Sequence, residues 1–165
     1  MEKIVDLKDA TITVSDGATT ANTAILRIGD GAFSFKQGSE LIYRLDAGKL
    51  WEVQEGDEVP VEATFDFVWV HSHGVAGKSF QDILLGENGC VSVDSNLCRP
   101  YACDIDVDFL AVCGAVSYYD NYKISDFRLD PQSFDAKEGK VTMSGKANIT
   151  KVPHTQSSSS SSASA

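Results

Sequence analysis

The chain has 165 residues, of which 42% are hydrophobic and 23% are charged, and its formal net charge is −10. This length and composition are typical of one globular domain that can bury a core of its own. The acidic balance argues against binding to nucleic acid or to anionic lipid, because the phosphate groups of both would be repelled. No run of about 18 apolar residues, the length needed to cross a membrane, occurs in the sequence.

The first residues, MEKIVDLKDA, lack the basic region and the apolar run of a secretory signal, so we expect synthesis in a reducing cytoplasm. The cysteines Cys90, Cys98, Cys103 and Cys113 have the spacing C-x7-C-x4-C-x9-C, without the C-x2-C pair that zinc sites use. Free and mostly buried thiols are the favoured interpretation. A disulfide formed after release from the cell, and a zinc site, remain alternatives.

The N-terminal half alternates between apolar and polar residues, which is the periodicity of β-strands. The runs 11–14 and 25–28 predict two short strands, and Phe33 and Phe35 fall on one side of a third. Segment 40–53 has two strand-like arms, and Gly48 between them suits the left-handed position of a three-residue hairpin loop. A further strand over 61–70 has these apolar residues on one face: Val61, Ala63, Phe65, Phe67 and Trp69.

One segment, KSFQDILLGENG, breaks the strand periodicity and predicts a short α-helix over about 78–86. Ser79 and Asp82 have the spacing of a capping box at the helix start. Gly86 can end the helix in a left-handed conformation. One helical face would carry Phe80, Ile83 and Leu84.

Three aspartates, Asp104, Asp106 and Asp108, alternate with apolar residues in RPYACDIDVDFLAVCG. In a strand all three carboxylates would project from one face, about 6–7 Å apart. A calcium loop would need the chain to curl around the ion at a glycine, and none occurs in this run before Gly114. A solvated acidic face is therefore favoured, with a calcium site and a catalytic carboxylate pair as alternatives. The opposite, core-facing side would carry Cys103, Ile105, Val107 and Phe109.

The C-terminal part predicts two more strands, over 122–130 and 139–152, before the tail HTQSSSSSSASA. The tail has too little apolar surface to fold by itself. In total we expect seven to nine strands and one helix, in a mainly β, antiparallel β-sandwich or barrel-like fold. The expected organisation is an N-terminal arm or first strand over 1–23, a β-sandwich domain over 24–152 and a Ser-rich tail over 153–165.

The sequence contains no G-x-S-x-G, H-E-x-x-H or P-loop pattern, and no nucleophile, base and orienting group can be named together. We therefore expect a protein that is not an enzyme and needs no cofactor. The acidic residues are spread over several predicted strands and include Glu62 and Asp66, which indicates an extended negative surface on a β-scaffold.

The order of these motifs resembles the tail tube proteins (major tail proteins) of long-tailed bacteriophages. The resemblance covers about residues 24–150 and depends most on GKLWEVQEGDEVPVEATFDF and GKVTMSGKANIT. It implies a structural virion protein of the phage tail, assembled in the host bacterial cytoplasm. Six copies would close into a ring, and rings would stack into a tube, in contact with other tail proteins, through which DNA passes without specific binding.

The resemblance also gives expected roles to particular residues. The family's long loop or hairpin, which contacts the next ring, matches residues 36–60, and the N-terminal segment and the tail would be arms or outer decoration. The expected inter-ring contacts are Leu41, Tyr43, Leu45, Leu50 and Trp51. The expected channel-lining residues are Asp104, Asp106 and Asp108, followed by Glu62 and Asp66. A calcium-dependent or capsid-decorating β-sandwich binding module is the alternative.

Overall fold

The structure, a computed structural model, describes residues 10–26, 32–38, 40–68, 78–113, 116–130, 135–137 and 140–160. Within these ranges the chain forms eleven β-strands and one α-helix, so the mainly β prediction is confirmed and the expected number of strands was too low. The first six strands are β1 (Ala10–Ser15), β2 (Thr23–Leu26), β3 (Phe33–Lys36), β4 (Leu41–Asp46), β5 (Lys49–Glu55) and β6 (Val61–Val68). The remaining elements are α1 (Phe80–Leu85), β7 (Cys103–Cys113), β8 (Val116–Leu129), β9 (Asp135–Lys137), β10 (Lys140–Ala147) and β11 (His154–Ser160).

The strands form one large antiparallel sheet and one separate hairpin. The large sheet has the order β2-β1-β7-β8-β10-β6-β3, with β11 also paired to β8 and β9 also paired to β10. The hairpin consists of β4 and β5, which form a two-stranded sheet of their own.

The long strand β8 belongs to both halves of the large sheet. Its first part, Val116–Tyr122, pairs with β11, whereas residues 127–129 pair with β10. Asp126 lies between these parts with a φ of 55°, a left-handed conformation that bends the strand. The sheet folds over itself, since the ring of Phe35 on β3 lies 5.8 Å from the ring of Tyr122 on β8. The architecture is therefore sandwich-like, as the sequence predicts.

The core fills the space between the two halves. Residues of β1, β6, β7, β8, β10 and α1 point into it, and the largest fully buried side chains are Phe65, Phe127, Ile12, Ile83, Ile105, Ile124, Met143, Val14, Val61 and Val107. The predicted core positions Phe65, Ile105 and Val107 are buried, and Phe109 is partly buried against them. The side chain of Phe67 and the whole of Trp69 lie outside the described residues.

The predicted helix and its caps are confirmed. Ser79 accepts a hydrogen bond from the backbone of Asp82, while the Asp82 carboxylate accepts one from the backbone of Ser79. Gly86 ends the helix with a φ of 70°. The buried residues Phe80, Ile83 and Leu84 seal one side of the core. Among the described residues no helix is long and apolar enough to cross a membrane.

Two local predictions were wrong. The hairpin loop has two residues rather than three, because Asp46 pairs with Lys49 and both Ala47 and Gly48 have positive φ. The last long strand stops at Ala147 instead of continuing to residue 152. The tail, which was not expected to fold by itself, forms a strand over His154–Ser160 by pairing with β8.

Candidate functional site

The three aspartates of β7 form an acidic stripe, defined here as Asp104, Asp106 and Asp108. The residues between them, including Ile105 and Val107, point into the core, so the carboxylates project from the opposite face. Strand β7 lies between β1 and β8, and Thr13 and Lys123 are the residues directly opposite Asp106. The strand interpretation of this run is therefore correct, and the carboxylates are half-buried by neighbouring strands rather than fully solvated.

The two ends of the stripe are held by hydrogen bonds. Asp104 accepts one from the backbone N–H of Asp126 at 3.1 Å, and its other oxygen lies 3.6 Å from the ammonium of Lys123. Asp108 accepts hydrogen bonds from the hydroxyl of Tyr119 and the amide of Asn121, each at 2.5 Å. These contacts fix the direction in which both carboxylates point.

The middle carboxylate has the least favourable environment. Partial burial is the main cause that raises the pKa of Asp106 above its usual value, and the negative charges of Asp108 and Asp104 raise it further. Lys123 offsets part of this effect. The ionised form of Asp106 is therefore less favourable in the folded chain than in water.

Glu62 and Asp66 do not belong to the acidic stripe. Both lie on β6, which is separated from β7 by β8 and β10 in the sheet. Glu62 is exposed, and its carboxylate forms an ion pair with Lys146 at 3.3 Å. One carboxylate oxygen of Asp66 is buried without a hydrogen-bond partner among the described residues. The structure therefore brings together three of the five predicted channel-lining residues.

The separate hairpin presents an apolar face, defined here by Leu41, Tyr43, Leu45, Leu50 and Val53. The strand register places these side chains on one side, with Leu45 opposite Leu50 and Tyr43 opposite Val53. The other side is mainly polar and includes Arg44 opposite Glu52. Trp51 is the extra residue at the bulge in β5, where it has no residue directly opposite.

Nothing in the described part of the chain covers the apolar hairpin face. Leu45 is 67% exposed, and the other members of the face are also exposed. Trp51, at the bulge beside the face, is 76% exposed. The base of the hairpin is closed by a hydrogen bond from the backbone N–H of Gly56 to the carbonyl of Glu40. All five residues predicted for inter-ring contact are therefore surface residues, available to another molecule.

One structural site was missed in the sequence. Asp16 is buried at the end of β1 and accepts hydrogen bonds from the backbone and side chain of Asn22 and from the backbone of Val91. Although burial opposes ionisation, these hydrogen bonds together hold the pKa of Asp16 below its usual value. Asp16 thus ties the loop that follows α1 to the sheet. The sequence shows only the turn signal Asp16-Gly17. The hydrogen-bond partner Val91 lies 75 residues further along the chain.

The three described thiols are free, as the favoured interpretation has it, but they are not mostly buried. Cys103 is buried, Cys90 is half-buried and Cys98 is exposed. Burial raises the pKa of the Cys103 thiol to about 12, so this thiol stays protonated and unreactive. Across the side chains that the structure describes, no group of three or more His, Cys, Asp or Glu residues is arranged to hold a metal ion.

No protein-family model and no curated protein sequence matches this chain.

Proposed function

We propose that this protein is a structural subunit that assembles with copies of itself into stacked rings, as in the phage tail tubes that its sequence resembles. The tube would conduct DNA, and the ring would contain six copies. The observation that carries the proposal is the apolar hairpin face, which has no cover within the described part of the chain. The proposed role requires no catalysis, cofactor or membrane.

An isolated two-stranded hairpin is at best marginally stable in water, and it gains stability by packing its apolar face on something else. The five residues of that face are each about half exposed or more. Contiguous apolar patches of roughly 300–600 Å² on monomers are often functional, and larger ones mark interaction sites. A hairpin whose apolar face stays exposed is suited to binding another protein subunit.

The edges of the large sheet also favour assembly. Within the described residues, β2 and β3 are the first and last strands in the pairing order of the large sheet. Unpaired edge strands invite pairing with another chain unless they are blocked. Pairing of the β2 edge of one copy with the β3 edge of the next would join different surfaces, and such contacts close into a ring when the rotation between copies allows it.

The acidic stripe would line the channel in this proposal. Negative carboxylates repel the phosphates of a passing duplex within a Debye length of about 8–10 Å, so the wall would not retain its cargo. Asp104, Asp106 and Asp108 fit this role because they share one outward face of β7. Glu62 is a weaker candidate, since Lys146 neutralises its charge.

The assembly can be tested with purified protein at increasing concentration. We expect rings or tubes of fixed diameter by negative-stain electron microscopy, and loss of the stacked species in Leu45→Asp. Gln54→Asp adds a charge to the polar side of the same hairpin and serves as the control that still stacks. A wild-type protein that sediments as a monomer at every concentration would rule out the proposal.

The position of the acidic stripe can be tested by thiol labelling. In a background with Cys98→Ser, the variant Asp106→Cys should react with a bulky PEG-maleimide as a free subunit and lose that reactivity in assembled tubes. A residue on the polar side of the hairpin, changed by Gln54→Cys, controls for general loss of access. Equal labelling of Asp106→Cys in both states would place the stripe on the outside of the tube.

A further inference from the structure

The C-terminal strand β11 differs from the strands that build the core in what holds it in place. Its sequence, HTQSSSS, contains no apolar residue, and its side chains from His154 to Ser158 are exposed. It pairs with Val116–Tyr122 of β8 through the backbone. Among the described side chains, none from β11 belongs to the hydrophobic core. Burial of apolar surface, which stabilises the other strands, therefore contributes little to β11.

One side chain of β11 makes specific contacts with the rest of the sandwich. The ring of His154 stacks on that of Tyr122, with centroids 4.6 Å apart and planes inclined by 17°. Its Nε2 donates a hydrogen bond to a carboxylate oxygen of Asp120 at 3.1 Å. Tyr122 in turn packs against the rings of Phe35 and Phe109. His154 therefore fastens the start of β11 to side chains that contact the core.

The segment before β11 is fixed more firmly. Val152 is 2% exposed, and its backbone N–H donates a hydrogen bond to the side-chain oxygen of Gln37 at 2.7 Å. The carbonyl of Pro153 accepts a hydrogen bond from the backbone N–H of Lys123 at 3.2 Å. The boundary between a buried anchor and an exposed strand thus lies between Pro153 and His154. Beyond this boundary β11 can detach without exposing Val152.

Detachment of β11 leaves one side of β8 without a partner. Residues Val116–Tyr122, called here the β8 edge, pair with β7 on one side and with β11 on the other. The pairing of β8 with β10 covers only residues 127–129. Without β11, the β8 edge would therefore offer a row of unpaired backbone groups to another strand.

The strand that occupies the β8 edge indicates which other strands fit there. β11 contains no acidic residue, and its first side chain places an imidazole beside Asp120. Because the chain has a net charge of −10, an acidic strand would be repelled. Binding of extended peptides at a sheet edge depends mainly on backbone hydrogen bonds, which tolerate different side chains. The matching ligand is therefore an extended polypeptide without acidic residues.

We infer that β11 is a releasable strand that closes the β8 edge, and that the opened edge binds an extended, non-acidic polypeptide in its place. His154 is the side chain that keeps β11 attached. While β11 is attached it competes with any other strand, since a tethered segment has a much higher effective concentration than a free one. The inference concerns this edge alone and does not depend on assembly through the hairpin.

Hydrogen exchange in the full chain, at low concentration, measures the release of β11. The amides between β11 and the β8 edge should exchange at least about tenfold faster than those between β1 and β7. His154→Ala should speed exchange in β11 by about another tenfold, because a ring contact and a hydrogen bond are lost. Gln156→Ala, on the same face of β11, is the matched control and should change exchange by less than about threefold.

Two results of this experiment would contradict the inference. Equal protection of β11 and of the β1–β7 pair would show that β11 opens only when the whole sandwich unfolds. Equal exchange in His154→Ala and Gln156→Ala would show that His154 does not hold the strand.

A labelled peptide tests binding at the opened edge. A variant with both Ser157→Pro and Ser158→Pro loses two backbone N–H groups and should release β11, whereas Ser157→Thr with Ser158→Thr keeps both groups and is the control. The probe is a fluorescein-labelled peptide of residues 151–160 whose four serines are replaced by Val-Thr-Val-Thr, which raises its strand propensity. Fluorescence anisotropy should show binding to the proline variant at least about tenfold tighter than to the threonine variant.

Circular dichroism and protected β1–β7 amides show whether the proline variant is folded. His154→Ala keeps every backbone N–H of β11 and is the second variant, which should bind the peptide more tightly than Gln156→Ala does. A peptide that also carries Thr155→Glu and Gln156→Glu should bind more weakly, and equal binding would overturn the charge requirement. Absence of peptide binding to a folded variant whose β8 edge exchanges freely would overturn the inference.

Discussion

The large sheet and the β4–β5 hairpin have the same alternation of apolar and polar residues, but they differ in what covers the apolar side. In β7, Ile105 and Val107 are each 1% exposed, because the opposite half of the sandwich covers them. In the hairpin, Tyr43 and Leu45 are more than half exposed. Local pattern therefore determines which residues share a face, and the rest of the chain determines whether that face is buried. For the hairpin, we propose that the cover comes from another molecule.

The largest difference is expected from removing one large side chain from each region. Phe127→Ala should lower the free energy of unfolding by about 3–5 kcal/mol, because Phe127 is fully buried and its ring packs 5.8 Å from that of Phe65. Leu45→Ala should change it by less than about 0.5 kcal/mol, as for other exposed positions. Urea denaturation of the free subunit measures both values. Similar losses for the two variants would show that the hairpin packs on its own sandwich.

Changes at two glycines, one in the large sheet and one in the hairpin turn, compare the stability of the two regions further. A Cβ at Gly145 would lie 2.3 Å from the carbonyl oxygen of Arg128, so Gly145→Ala should cost about 1–3 kcal/mol of global stability. Gly48 has open space around it but a φ of 81°, and Gly48→Ala should cost about 1 kcal/mol within the hairpin alone.

Hydrogen exchange separates the two costs of these glycine changes. Gly48→Ala should speed exchange in the hairpin amides without shifting the midpoint of global unfolding, since the hairpin forms a sheet of its own. An equal fall in global stability for both variants would contradict the separation of the two regions.

Removing the N-cap of α1 should lower stability by less than the core changes, and the loss should be confined to the sandwich. Ser79→Ala removes one hydrogen bond of the capping box and should cost about 1 kcal/mol. Gln81→Ala, in the first turn of the same helix, is the matched control and should stay within about 0.5 kcal/mol of the wild type. Thermal denaturation measures both, and neither variant should alter association through the hairpin.

The smallest effect is expected at the acidic stripe. Because the folded-state pKa of Asp106 is raised, its ionised form costs stability at neutral pH, and that cost is relieved as the pH falls through the folded-state pKa. Asp106→Asn should therefore raise Tm at pH 7 by on the order of 1 °C. The gain should disappear below the usual carboxyl pKa of 3.8. A fall in Tm at pH 7 would mean that the charge of Asp106 is stabilising.

The features that were predictable from the sequence are those set by neighbouring residues. The capping box of α1 needs only Ser79 and Asp82, and the acidic stripe needs only the two-residue period of a strand. The left-handed Gly48 was also predictable, since a tight turn requires that conformation.

The features that were not predictable depend on partners distant in the chain. Nothing near β8 indicates that it pairs with β7, β10 and β11 at once. The Ser-rich composition of the tail gave no sign of a strand. Strand β11 forms nevertheless, because its backbone pairs with β8 and its serine side chains do not prevent this. Glu62 and Asp66 resemble the stripe residues in sequence, and only the strand order separates them from it.

The separate hairpin also affects the order in which the chain folds. Its two strands are joined by a two-residue turn, and such hairpins form in about 1–10 μs. The sandwich must wait for distant pairings such as β1 with β7, and folds dominated by such contacts take about milliseconds to seconds. A newly made chain therefore displays an exposed apolar hairpin before it has a core, and its yield of folded protein should fall as the concentration of nascent chains rises.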